Sequence, residues 1–536
     1  MLDRRLIAKV AVTLFLAATV GSAAVQSPGA SASPAAFSLL EATIDDIQAA
    51  FHSGQITCRR LVELYLKRIE AYDQAGPSLN AVQNLNPRAL QEAERLDAAF
   101  RSSGPAGLLH CIPVLVKDQV ETSDMPTTYG SAVFQDFVPQ RDATIVTKLK
   151  KAGAVILGKT TMGEFAASFI GSAFGVVRNA YDPERNPSSS SAGTGSGIAA
   201  NFATIGIGED TGGSIRGPAA VASLVGLRPT VPLVSRFGMM PARPTTDTLG
   251  PITRTVKDAA ILLDVIAGYD PNDPVTIYAI GQVPASYTTF LRKDGLKGAR
   301  IGVIREPMDS NTDPDSDDYK KVKEVMDRAI VDLKALGADL VDPVTIPELQ
   351  DRIRKVHQDN VFETEQAINS YLANHPTAPV KTLQEILLTG KVVPRRASQL
   401  MNNVGRSTDE LGYLQVLLVK EETRQIVLKL MADNQLDAMV YATYDHQPAV
   451  IAPDVLTNPD PQGVSNVGNN RRLSPVLGFP AMTVPAGFTT DGLPVGIEFM
   501  ARPFAEGTLF RLGYAYEQGT RHRKPPATTP PLPGEP

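Results

Sequence analysis

Apolar positions recur by turns at helical and at strand spacing along most of the chain. Behind Thr57, a residue suited to cap a helix, Leu61, Leu64, Tyr65 and Ile69 fall three or four apart and predict a helix. Asn86-Pro87 opens a second helix, with proline at its first position and Leu90, Ala93 and Leu96 on one face. The run 111–116, CIPVLV, is short and wholly apolar and predicts a buried strand. Asp142 stands where it would cap a helix reaching Leu149, and Gly153 closes that helix before a strand at 154–157. Further strands are predicted at 300–305, 339–341, 438–441 and 494–500, with helices near 320–336, 350–372, 408–432 and 505–518. This alternation without an evident linker predicts one large α/β domain over 33–522. The Pro-rich segment 523–536 reads as a disordered tail.

Between Ser188 and Gly226 the composition shifts to Gly, Ser, Thr and Ala. A flexible linker has little reason to carry Ile198, Phe202, Ile205, Ile207, Val221, Leu224 and Val225, so the segment reads as folded. A helix from about 195 to 203 leading into a strand near 205–208 fits it best.

The first thirty-two residues have the form of an export signal. Arg4, Arg5 and Lys9 precede an apolar run from Val10 to Val20, and Ala30-Ser31-Ala32 matches an A-x-A cleavage pattern, with a cut after Ala23 or Ala24 also open. The other reading is an uncleaved N-terminal anchor. Removal of the signal would leave no stable membrane insertion and a periplasmic or extracellular protein. In such a compartment Cys58 and Cys111 would be able to form a disulfide, the alternative being two buried free thiols.

Composition narrows the function. With 43% hydrophobic and 20% charged residues the chain is ordinary for a folded protein. A net charge of −5 argues against nucleic acid as a partner. Two cysteines and six scattered histidines, without HExxH spacing, argue against a metal site.

Three segments could carry chemistry. Lys117 directly follows the buried-type strand, where desolvation would favour the neutral amine; a strand-end ammonium in water is the other reading. Asn186–Gly195 holds four consecutive serines ahead of glycines, and reads equally as a polar loop. Gly208–Arg216 (GEDTGGSIR) places two glycines before Ser214, a geometry in which successive N–H groups form an anion-binding nest around a nucleophile. A glycine-rich turn with a capping serine is the alternative. The Lys-Ser/Thr ending of a phosphate loop and a G-x-S-x-G elbow are both missing.

Taken together, and with 107–122, 154–165, 247–258 (DTLGPITRTVKD) and 478–502, these segments resemble the amidase signature family over about residues 40–520. The resemblance implies that family's fold, a large mixed central β-sheet sandwiched between α-helices. It implies a catalytic triad of Ser214 as nucleophile, Ser190 as bridging serine and Lys117 as base, with a cis peptide bond between 189 and 190. The oxyanion hole would be the N–H groups of Thr211, Gly212, Gly213 and Ser214, with Asp210 and Arg216 in supporting, structural roles. The family commonly has glycine where this chain has Ser189 and Ala192. The activity implied is hydrolysis of carboxamide C–N bonds of small molecules through an acyl-serine, without metal or organic cofactor. The alternatives are ester or carbamate hydrolysis by the same triad, or the role of a glutaminase-type component of an amidotransferase. The resemblance also allows a homodimer. Pocket walls are expected from 125–140, 305–320 and 380–405, with Ala166 near the acyl pocket. The histidines and the Met239-Met240 pair are expected in the core or on the surface.

Overall fold

The computed structural model describes residues 36–464 and 467–536, so the signal segment expected at 1–32 lies outside the described residues. Residues 37–536 form one compact unit. Its centre is an eleven-stranded mixed sheet. In spatial order the strands are Val82–Leu85, Val155–Thr160, Pro113–Lys117, Ile205–Asp210, Thr248–Thr253, Val225–Arg228, Ala481–Phe488, Pro494–Met500, Ala438–Ala442, Arg300–Ile304 and Asp339–Val344. Helices including Val256–Ile266, Asp317–Ala335 and Glu506–Thr520 pack against it.

The part that matters for chemistry is a parallel pair near one end of this sheet. Pro113–Lys117 runs parallel to Ile205–Asp210, with Val114 opposite Ile205 and Val116 opposite Ile207. Lys117 and Asp210 each end their strand, so both functional segments leave the sheet at the same edge, where open α/β sheets bind ligands. The strand Ile205–Asp210 is fully buried, and Gly206 lets the helix Ala192–Ala199 sit directly on it. A Cβ at Gly206 would stand 2.5 Å from Thr194 Cγ2. Packing of that helix fixes the position of the serines at its N-terminus.

Several sequence expectations shift in the folded chain. Thr57 does cap the helix Cys58–Tyr72, accepting from Arg60 N–H at 3.1 Å. Asp142 does not cap the helix Thr144–Lys151; its carboxylate is taken by Ser123 N–H (2.8 Å) and Lys150 (2.8 Å). The single helix expected at 350–372 is broken into Leu349–Ile353, a π turn at Arg354–Gln358, and Thr364–Ala373. The tail is not disordered. Glu535 pairs with the fully buried Arg68 at 2.9 Å, Arg68 also donates to the carbonyls of Thr529 and Pro530, and Arg523 pairs with Glu41 at 2.6 Å. A buried guanidinium needs acceptors, and the tail supplies them.

Cys58 and Cys111 form a disulfide with Cα atoms 5.4 Å apart, joining the start of the helix Cys58–Tyr72 to the approach to the lysine strand. Among the described residues, no helix is long and apolar enough to cross a membrane, and no group of three His, Cys, Asp or Glu is placed to hold a metal ion.

Candidate active site

The four consecutive serines have four different surroundings. Ser190 is fully buried, and its Oγ lies 2.7 Å from Lys117 Nζ. Ser191 Oγ accepts from Glu209 N–H (3.2 Å) and donates to Glu209 O (3.0 Å), pinning the helix to the strand. Ser188 and Ser189 face Arg471, whose Nη1 donates to their hydroxyls at 3.1 and 2.9 Å. The serine that stands in place of the family's glycine, Ser189, therefore has a cationic partner rather than a place in the relay. The Ser189–Ser190 peptide is trans; among the described residues only Val231–Pro232 and Asp342–Pro343 are cis. The chain turns instead at Ser188, which adopts φ 88°.

Lys117 is fully buried, and Glu209 Oε2 lies 2.8 Å from its amine, with Glu209 O at 3.2 Å. Burial lowers the lysine's proton affinity, and the Glu209 carboxylate opposes that shift; the net direction is down. Burial, with the charge of Glu209, also pushes the Asp247 carboxyl up to about 7. Thr211 Oγ1 donates to Glu209 Oε1 at 2.7 Å, which ties this acid to the loop that holds Ser214. Sequence reasoning missed Glu209, although it stands beside Asp210 in the same motif. The usable signal was a second acid on a strand whose every residue is buried.

The loop from Thr211 to Ile215 is built around Asp210. Its carboxylate accepts from Gly213 N–H (2.7 Å), Ile215 N–H (3.1 Å), Arg216 Nε (3.2 Å) and Arg228 Nη1 (2.9 Å). Burial alone would raise this acid's pKa, but Arg216 and Arg228 outweigh it and hold the group well below the carboxylate range. Arg216 also pairs with the buried Glu498. The four-donor expectation for the oxyanion hole is corrected at one position. Gly213 N–H already serves Asp210, whereas the N–H groups of Thr211, Gly212 and Ser214 make no hydrogen bond among the described residues. Gly213 adopts φ 119°, and a Cβ at Gly212 would stand 2.3 Å from His357 Cε1, so both glycines are required by the space.

Ser214 opens on a cavity of about 410 Å³. Thr211, Gly212, Ser188 and Ser189 form its floor with Ser214, and 165–168 form one wall, where Phe165, Ala166 and Ser168 all have positive φ. His357, placed by the π turn, lies against Gly212; burial and the charges of Arg243, Arg472 and Arg471 keep it neutral. That corrects the expectation of core or surface for this histidine. Of the loops expected to build the pocket, 380–405 contributes through Arg395, Arg396, Gln399, Asn402 and Asn403, while 125–140 and 305–320 do not reach it. Among the described residues, no hydrogen bond closes between Ser190 and Ser214.

The family model described as Amidase matches residues 60–510, and the chain belongs to the amidase signature family. A probable amidase of Arabidopsis thaliana is 34% identical over 516 residues, covering 91% of this chain and 92% of the relative. A glutamyl-tRNA(Gln) amidotransferase component from Rippkaea orientalis is 32% identical over 487 residues, 87% of this chain and 96% of the relative. The native peptide amidase structure from Stenotrophomonas maltophilia superposes with a TM-score of 0.82 at 34% identity, covering 92% of this chain and 99% of that one.

Proposed function

We propose that the protein is an exported amidase that hydrolyses the C–N bond of a small carboxamide through an acyl-Ser214 intermediate. The observation that supports this reading most is the 2.7 Å contact between the buried amine of Lys117 and Ser190, beneath a nest of N–H groups at the floor of a cavity.

In the first half-reaction Ser214 Oγ bonds to the amide carbon while its proton passes to Ser190 Oγ, and the Ser190 proton passes to Lys117 Nζ. The carbonyl oxygen takes up the electron pair and is held by the free N–H groups of the Thr211–Ser214 loop. Collapse of the tetrahedral species breaks the C–N bond, and the departing nitrogen receives its proton back through Ser190. Water then attacks the acyl-serine by the same relay and releases the carboxylic acid. Glu209 holds the Lys117 ammonium that forms in each half-reaction and has no direct part in bond making. The disulfide between Cys58 and Cys111 supports export, since oxidised cysteines persist outside the reducing cytosol.

The test is a hydrolysis screen of the purified protein on primary amides, peptide amides, anilides, carbamates and esters, with Ser214→Ala as the blank. Ammonia or amine release from at least one amide, absent in the blank, is expected. Amide turnover by Ser214→Ala at the wild-type rate would refute the assignment.

A further inference from the structure

The cavity above Ser214 is lined by Arg243, Arg395, Arg396, Arg471 and Arg472, and no Asp or Glu lines it among the described residues. Buried and half-buried cations normally meet carboxylates. Here only Arg395 does so, 3.3 Å from Asp460; among the described residues the other four form no salt bridge. Arg243 donates to His357 O, and Arg396 to Phe165 O (2.7 Å) and Gln399 Oε1 (3.3 Å), while Arg396 Nε is buried without a partner. Arg471 gives Nη1 to hydroxyls and to Gly213 O (3.0 Å) and stacks 4.4 Å over Tyr444. The Arg472 guanidinium makes no hydrogen bond among the described residues.

The nearby acids form no salt bridge with these four arginines: Asp247 accepts from the N–H groups of Ala242 and Arg243 and burial pushes its carboxyl up to about 7, and Glu164 accepts from Val393 N–H and Ser172. Asp210 serves Arg216 and Arg228, Glu363 accepts from Thr245 and Asn360, and Asp309 accepts from the N–H groups of Asn311 and Asn469. The neutral His357 adds no negative charge to offset the arginines. Like charges gathered around one concavity raise its energy, and an anion entering it relieves the repulsion and gains forked hydrogen bonds. Arg471 donates to Gly213 O, on the residue before Ser214, so an anion held there lies near enough to the nucleophile to be carried by the same small molecule as the scissile amide.

We infer that the substrate is an amide that also carries a carboxylate, bound by the arginines of this cavity. The inference rests on the amidase reading above and adds the substrate class to it.

The test uses matched pairs on the purified protein: succinamate against butanamide, and 4-carbamoylbenzoate against 4-methylbenzamide, with ammonia release as the readout. In each pair kcat/KM is expected to favour the anion by about 10-fold or more at low ionic strength, with the preference shrinking as salt is added. Arg472→Gln and Arg396→Gln are each expected to reduce the ratio several-fold, and Arg396→Lys to restore part of it. A ratio of one or less in both pairs would overturn the inference while leaving the amidase reading intact. Calorimetric binding to Ser214→Ala separates the two claims. If that variant binds succinamate over butanamide while the wild type turns over neither of them nor any amide of the screen above, the anion site stands and the amidase assignment falls.

Discussion

Below Ser214 opposite buried charges are paired: Asp210 lies against Arg216 and Arg228, Arg216 reaches Glu498, and Lys117 contacts Glu209 at 2.8 Å. Above Ser214, four of the five arginines lining the cavity have no carboxylate. Both regions are rich in charge, yet they use it differently. In the lower region opposite charges neutralise one another and hold a backbone loop in shape. In the upper region the positive charge is left over, and a ligand is needed to complete it. A buried ion network therefore indicates positioning, and an unmatched one facing a cavity indicates recognition.

Removing the amine of the lower region has the largest expected effect. Lys117→Ala takes away the proton acceptor and should lower kcat/KM on amides by about 10⁴-fold, roughly 5.5 kcal/mol in the barrier. The loss should be smaller on an activated ester, whose leaving group needs no proton. Equal losses on both substrates would point to a collapsed site rather than a missing base, and circular dichroism of the variant would then show the collapse.

Next comes the network itself. Asp210→Asn leaves Arg216 and Arg228 sharing a neutral partner, and breaking such a buried pair costs about 3–5 kcal/mol. Asp210 is held below its unfolded pKa, so its contribution is fully present above the ordinary carboxylate range and is lost progressively as pH falls from that range toward and through the depressed native value. The stability gap between wild type and variant, read by urea unfolding, should stay constant from pH 8 to 5. A gap that grows with acid would show that the carboxylate was not ionised in the native state.

In the lower region Lys117, Asp210 and Arg216 were legible before folding while Glu209, Arg228 and Glu498 were not, and the arginines of the upper region were not legible at all. Lys117, Ser190 and Ser214 sit in short segments whose order and 24-residue serine spacing carry family information. Glycines around Ser214 point to a nest for the same reason. The arginines come from three separate stretches, around 243, 395–396 and 471–472, and no periodicity links them. They meet only because the fold brings those loops over one strand edge. His357 was hidden by an apparently continuous helical pattern; the π turn that interrupts it depends on tertiary packing. The tail misled in another way, since its composition reads as disorder while its carbonyls and Glu535 are the acceptors for Arg68.

A smaller effect is expected at Glu209, and it reads out the coupling directly. The Glu209 carboxylate favours the ammonium form of Lys117, whereas catalysis needs the amine. Glu209→Gln removes that stabilisation, so the Lys117 pKa falls further. Activity is lost as pH drops through that pKa, and the acid limb of kcat/KM should therefore move down by about one pH unit. Unmoved or raised, the limb would mean that another group controls it.

The smallest effect is expected in the upper region, and it is what separates the two regions most cleanly. Arg472 leaves no carboxylate stranded when it is replaced, and its guanidinium gives up no hydrogen bond. Desolvation and the charge of Arg471 already work against it. Arg472→Gln should therefore change unfolding stability by no more than about 0.5 kcal/mol, in either direction, although the residue is mostly enclosed. Measured beside Asp210→Asn under the same denaturant, the pair tests the distinction drawn from geometry. If the arginine variant lost several kcal/mol, the upper charge would be part of the scaffold, and its lack of partners would no longer point to a ligand.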